Sequence, residues 1–397
     1  MGKIEIDHTG SGGGVTLSSD GTDLLLDGTA IGGGGAALEL YAENPSSPTA
    51  PSATGANAIA IGTNAQATNT NAVALTRNAV ASGISSFAFG NNAAATGTSG
   101  VAIGSGTGAA ERATAIGGAG AQALQQNTTA IGSNSSSQPS TCPAGGGAGA
   151  MALGGSYASG TNSFAAAIAN NTSSYGATGA NSVAVGQQAK ATNSNAVAIG
   201  ASFTTASGSL SLALGRDSNA AGLRSVAIGG GNATATRSVC IGDTSATPTV
   251  QGHFAYACGR FSAVGDAQAG TFVLRSDTTD ATPEALTTNN SAAGANDQII
   301  LPNNSAYAFH GTIVARQQAS QGTACAAWRV EGLIRREGSA GTTVLVNSAT
   351  TVLDNTPAWG MALSADTTNG GLKIEVTGAA STNIRWVATI HTSEVTY

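Results

Sequence analysis

One short apolar phrase sets the pattern of this chain. Between Asn57 and Gly242 it recurs thirteen times. The clearest copies are NAIAIG ending at Gly62, VAIG at Gly104, NSVAVG at Gly186, NAVAIG at Gly200 and SVAIG at Gly229. Looser copies are NAVALT at Thr76, FAFG at Gly90, TAIG at Gly117 and Gly132, MALG at Gly154, AAIAN at Asn170, LALG at Gly215 and VCIG at Gly242. Successive closing residues lie 14 apart in five of the twelve intervals, 13 or 15 apart in four and 16 apart in two. The interval from Gly132 to Gly154 is 22 residues and holds an insertion. A fixed period of this kind marks a stack of equivalent units.

Each clear phrase sets an alanine between two bulky apolar residues, as in Val73-Ala74-Leu75 or Val197-Ala198-Ile199. Alternation with period 2 predicts a strand, with the bulky pair on one face and the alanine on the other. The glycine is followed by a second alternating run of small residues, such as Thr63 to Thr68, which predicts a second strand. A unit is then strand, tight turn, strand, turn, with Gly and Asn at corners that need positive φ. About two large side chains per unit are predicted to be buried, too few for a unit to fold alone, so stacked units share a core. At ~4.8 Å per coil, thirteen coils make a rod on the order of 60 Å long. The small-residue face of Ala, Ser and Thr is predicted to lie against other copies of the chain in a cyclic oligomer.

Residues 181–200, NSVAVGQQAKATNSNAVAIG, resemble the head repeat of YadA-type trimeric adhesins. The resemblance spans roughly half the chain. It implies a left-handed parallel β-roll in which three chains pack side by side, an architecture shared by bacterial adhesins and phage fibres. Thr76 and Asn170 depart from the pattern by lacking the turn glycine, which implies local irregularity.

The flanks differ from the roll. Residues 1–41 contain Lys3 to Asp7, Val15 to Leu17 and Leu24 to Leu26, read as short strands between Gly and Asp turns. This opening resembles virion proteins from phages of cyanobacteria, which implies docking on a particle; a cap that closes the roll is the other reading. Residues 42–56 (AENPSSPTAPSATGA) have three prolines and predict an extended linker. The roll is placed at 57–247, with residues 133–150 bulging as a loop. Residues 248–397 predict a different unit, and 252–289 resemble the start of C-terminal regions of fibre-like proteins of tailed phages. Eight runs there predict antiparallel strands: Thr271–Arg275, Gln298–Leu301, Ala306–Arg316, Ala324–Glu337, Thr342–Val346, Met361–Ser364, Leu372–Thr377 and Ile384–His391. Their short spacing predicts a β-sandwich or jelly roll. Ile384, Trp386, Ala388 and Ile390 are assigned to its core, as is Trp328, with Arg385, Thr389 and His391 outward. The fold class is all-β: a trimeric roll shaft and an antiparallel head.

Composition narrows the function. Charged residues are 9% of the 397 and the formal net charge is −6. No basic stripe marks a nucleic-acid surface. The N-terminus lacks the apolar core of a signal peptide, and no run is long and apolar enough for a membrane-spanning helix. These features, without a heptad stalk or membrane strands at the C-terminus, predict a virion component assembled in the host cytoplasm rather than an anchored adhesin. Cys142, Cys240, Cys258 and Cys325 fit no metal spacing and are expected to be free, Cys240 packed in place of a repeat alanine and Cys142 exposed in the insertion.

Candidate chemistry is sparse. His8, His253, His310 and His391 form no metal pair, and neither a GxSxG elbow nor a phosphate loop is present. Carboxylates in the roll are Glu111, Asp217 and Asp243, far apart in sequence; those of the head include Asp277, Asp280, Glu331, Asp354 and Asp366. A glycosidase would need two such groups flanking one bond. The expectation is no enzyme, no cofactor and no metal. Because sugars stack on exposed rings, Trp359 and Tyr397 are the receptor-binding candidates, with packing as the alternative role. The residues point to a homotrimeric phage fibre bound to a virion tail or capsid protein at its N-terminus and to a host surface glycan at its C-terminus. A bacterial trimeric adhesin, a polysaccharide-degrading tailspike and an ice-binding solenoid are the rival readings.

Overall fold

A computed structural model describes residues 49–397, apart from 119, 136–137, 144–145, 167–174 and 356, together with the backbone of four strands nearer the N-terminus. Those four, Ile4–Ile6, Val15–Ser19, Leu24–Leu26 and Thr29–Ile31, pair in sequence order as an antiparallel meander. Three of them were legible as short runs between Gly and Asp turns. Residues 42–48 of the predicted linker lie outside the described residues.

The repeat builds a parallel β-solenoid from two ladders. The first contains the phrases. Ile59–Ile61 pairs in parallel with Val73–Leu75, which pairs with Phe87–Phe89, and so on, with alanine stacked on alanine at the centre of each rung: Ala60, Ala74, Ala88, Ala102. The second ladder contains the short runs after each turn, from Ser52–Ala53 and Gln66–Ala67 onward. Two of the sequence boundaries move. Ser52–Ala53 already belongs to the second ladder, so the predicted linker overlaps the first coil. At the other end Phe254–Tyr256 adds a parallel rung beyond the last phrase.

The inside and outside of the roll are the reverse of the expectation. The alanines are the core: Ala74, Ala88, Ala102, Ala198 and Ala213 are fully buried, as are Ala67, Ala81 and Ala95 of the second ladder. The bulky residues that flank them point out, Ile59 at 49% exposure and Ile199 at 41%. A coil with two short strands encloses a cross-section that methyl groups fill. The residue before most phrases also points in; where it is serine the hydroxyl is satisfied locally in several coils but is buried without a partner among the described residues at Ser163 and Ser225. Ser86, Ser182 and Ser211 each donate to the carbonyl three residues back at 2.7 Å.

Asparagine holds many of the corners. Asn57, Asn64, Asn71, Asn78 and Asn92 all have φ between 56° and 58°, a left-handed conformation that Asn tolerates best after Gly. Their amides form ladders from coil to coil, Asn64 to Asn78 at 3.0 Å and Asn78 to Asn92 at 3.1 Å. Thr76, which lacks the turn glycine, takes φ of 83° in its place. The other departure needs correction: the rung is Phe164–Ala166, paired with Met151–Leu153 and Val183–Val185, so the phrase precedes the sequence assignment that closed at Asn170, itself outside the described residues. The insertion after Gly132 forms a small antiparallel pair, Ser133–Ser135 with Gln138–Pro139. It then returns Thr141–Cys142 to the second ladder beside Gln122–Ala123. Cys142 therefore takes an alanine position and is buried, not exposed; burial pushes its thiol up to about 11 against weaker backbone hydrogen bonds.

The head grows directly from the roll. Phe254–Tyr256 pairs antiparallel with Ala267–Thr278, and the sheet continues through Ile384–Thr396, Ser305–Gln317, Cys325–Arg336 and Val344–Asp354. A second sheet packs on it, with Gly371–Thr377 paired to Gly360–Asp366 on one edge and to Pro283–Ala285 and Ile299–Ile300 on the other. Side chains from both sheets make one core, including Phe272, Ile313, Trp328, Ile374, Trp386 and Ile390. Each of the eight predicted runs matches a strand; Pro283–Ala285 carries no alternation long enough to read.

Candidate functional site

Three parts of the molecule can act on a partner: the outward face of the roll, the joint between roll and head, and the free end of the head. The outward face is a row of bulky apolar side chains, two on most rungs and one where Thr114, Thr129 or Ala166 takes the other place, that includes Ile59, Phe89, Ile131, Met151 and Ile199. It reaches the head, because Phe254 and Tyr256 are also exposed and pair with Thr271 and Ala269 of the first head strand. On the outer face of the five-stranded sheet Val273, Val314 and Val387 stand among Arg275, Thr312, Thr389 and His391, so the apolar row gives way there to a mixed surface. A contiguous apolar surface of this extent marks an interaction face.

At the joint, one buried carboxylate ties the last coil to the head. Glu394 accepts from Thr392 Oγ1 at 2.6 Å and from Gln268 Nε2 at 2.8 Å. His253 Nε2 stands 3.3 Å from Glu394 Oε1, close enough for a charge pair but without the geometry of a full hydrogen bond. The His253 ring stacks on Phe272 at 4.2 Å. Burial pushes the Glu394 carboxyl up, but the His253 contact and charge, with Thr392 and Gln268, outweigh it and hold the carboxyl below its ordinary value. Gln268 also exchanges hydrogen bonds with both backbone groups of Ala246, at 2.9 Å each, so the cluster reaches back into the second ladder. Tyr307 is the cross-strand partner of Glu394, and its phenol is raised well above its ordinary value by burial and by that carboxylate.

The two predicted binding aromatics fare differently. Trp359 is 5% exposed. Its ring meets Trp386 at 5.8 Å, and Trp386 stacks on Trp328 at 5.7 Å. Asn355 fixes its backbone by two hydrogen bonds, to Trp359 O at 2.8 Å and from Trp359 N at 2.9 Å. Trp359 is a core residue and offers no ring face to a sugar, which corrects the expectation. Tyr397 is fully exposed. The structure does not bring the two together as one site. Residues that the sequence reading left aside do converge at the free end of the head, where Arg316 and Arg385 stand directly opposite each other in adjacent strands. No motif signals them, because they lie far apart in the chain and meet only through strand register. Cys258 and Cys325 are free and exposed, and Cys240 is buried in an alanine position, as its place in the phrase implied.

A family model, the YadA head domain repeat, matches residues 53–75, 81–107, 109–135, 177–202 and 206–232. The matched stretches fall within the roll, so the roll is similar to YadA head repeats, in an all-β fold with an antiparallel C-terminal region. No curated protein matches the sequence. Among solved structures, a similar chain is the tailspike protein gp49 from Acinetobacter baumannii bacteriophage Fri1, a capsular polysaccharide depolymerase, at 12% identity and a TM-score of 0.22. The match covers 71% of this chain and 47% of that one, so this chain spans about half the length of that protein. The expectation that the chain is not an enzyme does not stand beside a match to a depolymerase. A likeness this slight assigns no activity to the present chain either. No helix among the described residues is long and apolar enough to cross a membrane.

Proposed function

We propose that the chain is the shaft and tip of a homotrimeric phage fibre that attaches the virion to a glycan on the host cell. The observation that carries this reading is the outward, largely apolar row that runs along the roll from Ile59 to Tyr256. Such a row is stable in water only when covered, and a rod of identical coils offers the same row on every copy. Closed rotational packing covers it along the roll. Trimers are favoured over dimers by the repeat family, whose resemblance implies three chains side by side. In this reading the N-terminal strands dock on a tail or capsid protein. Three heads then meet the surface together, and weak individual contacts gain avidity from simultaneous engagement. Tyr397, exposed at the chain end beside the joint with the roll, remains a proposed stacking residue for sugar, on the flank of the head and away from its tip.

The test is the mass of the purified chain in solution, by light scattering, together with adsorption to host cells. A trimer that adsorbs and competes with intact particles is expected. Replacing two outward residues with charge, Phe89→Asp with Ile199→Asp, is expected to release monomers. A wild-type monomer, or a trimer indifferent to this double substitution, would refute the packing.

A further inference from the structure

The free end of the head carries a cleft whose side chains select for charge. One row across the outer face of the sheet reads Asp277, Arg385, Arg316, each directly opposite the next in adjacent strands. All three are exposed. Like charges placed directly opposite in a sheet destabilise it, so two neighbouring guanidinium groups need a compensating anion. Asp277, opposite Arg385, supplies one negative charge against the two positive ones, so among the described residues one is left without a counter-charge. Among the described residues neither arginine makes an ion pair within the chain; Arg316 donates only to the Ala324 carbonyl, at 3.1 Å. Asp277 is already engaged, with its Oδ1 accepting from Asn290 Nδ2 at 2.7 Å.

The walls around these cations are held in place. Asn383 Nδ2 donates to Gln318 Oε1 at 2.7 Å, and the backbone N–H of Asn383 donates to Gln321 Oε1 at 2.7 Å. Gln317 Nε2 donates to the Gln321 carbonyl at 3.0 Å. These bonds clamp the loop that follows Gln317 to the loop that precedes Ile384. The enclosed space is about 510 Å³, within the roughly 300–1,000 Å³ usual for small-ligand sites. Its polar lining is amide, hydroxyl, guanidinium and the Asp277 carboxylate, beside apolar surface from Ala319 and Ile384, a mixture that suits the hydroxyls, the acid group and the C–H face of a sugar. It lies where the first head strand ends, at the opposite end of the sheet from the rung that joins the roll.

We infer that this cleft binds an acidic sugar residue, with its carboxylate held between Arg316 and Arg385. A guanidinium forks onto a carboxylate through two parallel N–H donors. The nearby Asp277 leaves the row with one net positive charge, which suits a singly charged carboxylate better than a doubly charged phosphate. Asp277 also offers an acceptor to a hydroxyl on the same ring. The inference rests on the proposed attachment to a host glycan and names the class of that glycan.

The experiment uses the full chain on an array of uronic-acid and other carboxylated polysaccharides, each paired with its carboxyl-reduced neutral form, plus phosphorylated sugars. Binding to at least one carboxylated glycan is expected, about tenfold weaker for its neutral form and for R316Q or R385Q, the loss expected when a charge-assisted hydrogen bond goes. Both substitutions lie at exposed positions, and mass and melting temperature check that each variant keeps its assembly. Preference for phosphorylated over carboxylated sugars, equal binding of the acidic and neutral forms, or wild-type affinity in both variants would overturn the inference while leaving glycan attachment intact. Variants that change mass would also overturn it, by assigning the arginines to an interface. If the chain binds no glycan at all, acidic or neutral, the attachment reading falls with it.

Discussion

Alanine governs the roll residue by residue. Ala198 is fully buried between rungs while its neighbours Val197 and Ile199 look outward. Room inside the coil is set by the backbone, so a larger side chain cannot be accommodated by repacking. Ala198→Leu is expected to cost about 1–3 kcal/mol, the range for overpacking, read as a lower melting temperature; Val197→Leu should leave it nearly unchanged. Glycine meets a harder limit at the second corner. A Cβ on Gly222 would lie 2.0 Å from the Ala235 carbonyl oxygen of the next coil, and one on Gly208 would lie 2.0 Å from that of Gly222. Thr76 shows the opposite mismatch: a β-branched residue at φ of 83° with a buried, unpartnered hydroxyl. Thr76→Gly is expected to raise stability by about 1 kcal/mol, because it relieves a conformation that only glycine adopts freely. Calorimetry of the two proteins checks the sign.

Elements were more legible than their orientation. Alternation at Ile384, Trp386, Ala388 and Ile390 identified both a strand and its buried face, and all four are buried. In the roll the same alternation identified the strands but assigned the faces backwards. Period 2 tells which residues share a side; it does not tell which side is inside. The usual guide, that bulky apolar residues point in, fails where the enclosed space holds only methyl groups. Trp359 was misplaced for a related reason: its neighbours Pro357 and Gly360 read as loop, while its burial is decided by Trp386, distant in sequence. The joint between roll and head was illegible, since Gln268, His253 and Glu394 meet only after folding. It gives a prediction at this scale. Glu394 has a folded value below its unfolded one, which for glutamate is about 4.3. Its contribution to stability is present above that value and is lost as pH falls through the folded value. Acid is therefore expected to loosen the head below about pH 4, reported by the fluorescence of Trp328, Trp359 and Trp386. Glu394→Gln should be less stable at pH 7 and show a flatter acid profile. An unchanged acid profile in that variant would assign the loss to other carboxylates.

Taken whole, the molecule is a rod of low charge with an apolar side and an ionic tip. The two surfaces should respond to salt in opposite ways. Assembly through Ile59, Phe89 and Ile199 involves no charge pair, so added salt should not dissociate the oligomer; contacts through Arg316 and Arg385 are screened beyond about 10 Å at 0.1 M. Raising sodium chloride from 0.05 to about 0.5 M is expected to leave the mass unchanged and to weaken glycan binding. Sedimentation and array binding in the same buffers separate the two, and dissociation at high salt would contradict an apolar interface.

The antiparallel pairing of Phe254–Tyr256 with Ala267–Thr278 has a mechanical consequence. A head carried on a flexible tether would swivel freely and dissipate any torque applied to it. Here backbone hydrogen bonds splice the head onto the last rung, and the Glu394 cluster braces the splice from inside. Drag or twist at the tip is thus delivered along the ladder as strain in stacked peptide groups, and the bearing of the tip reports the bearing of whatever grips the far end.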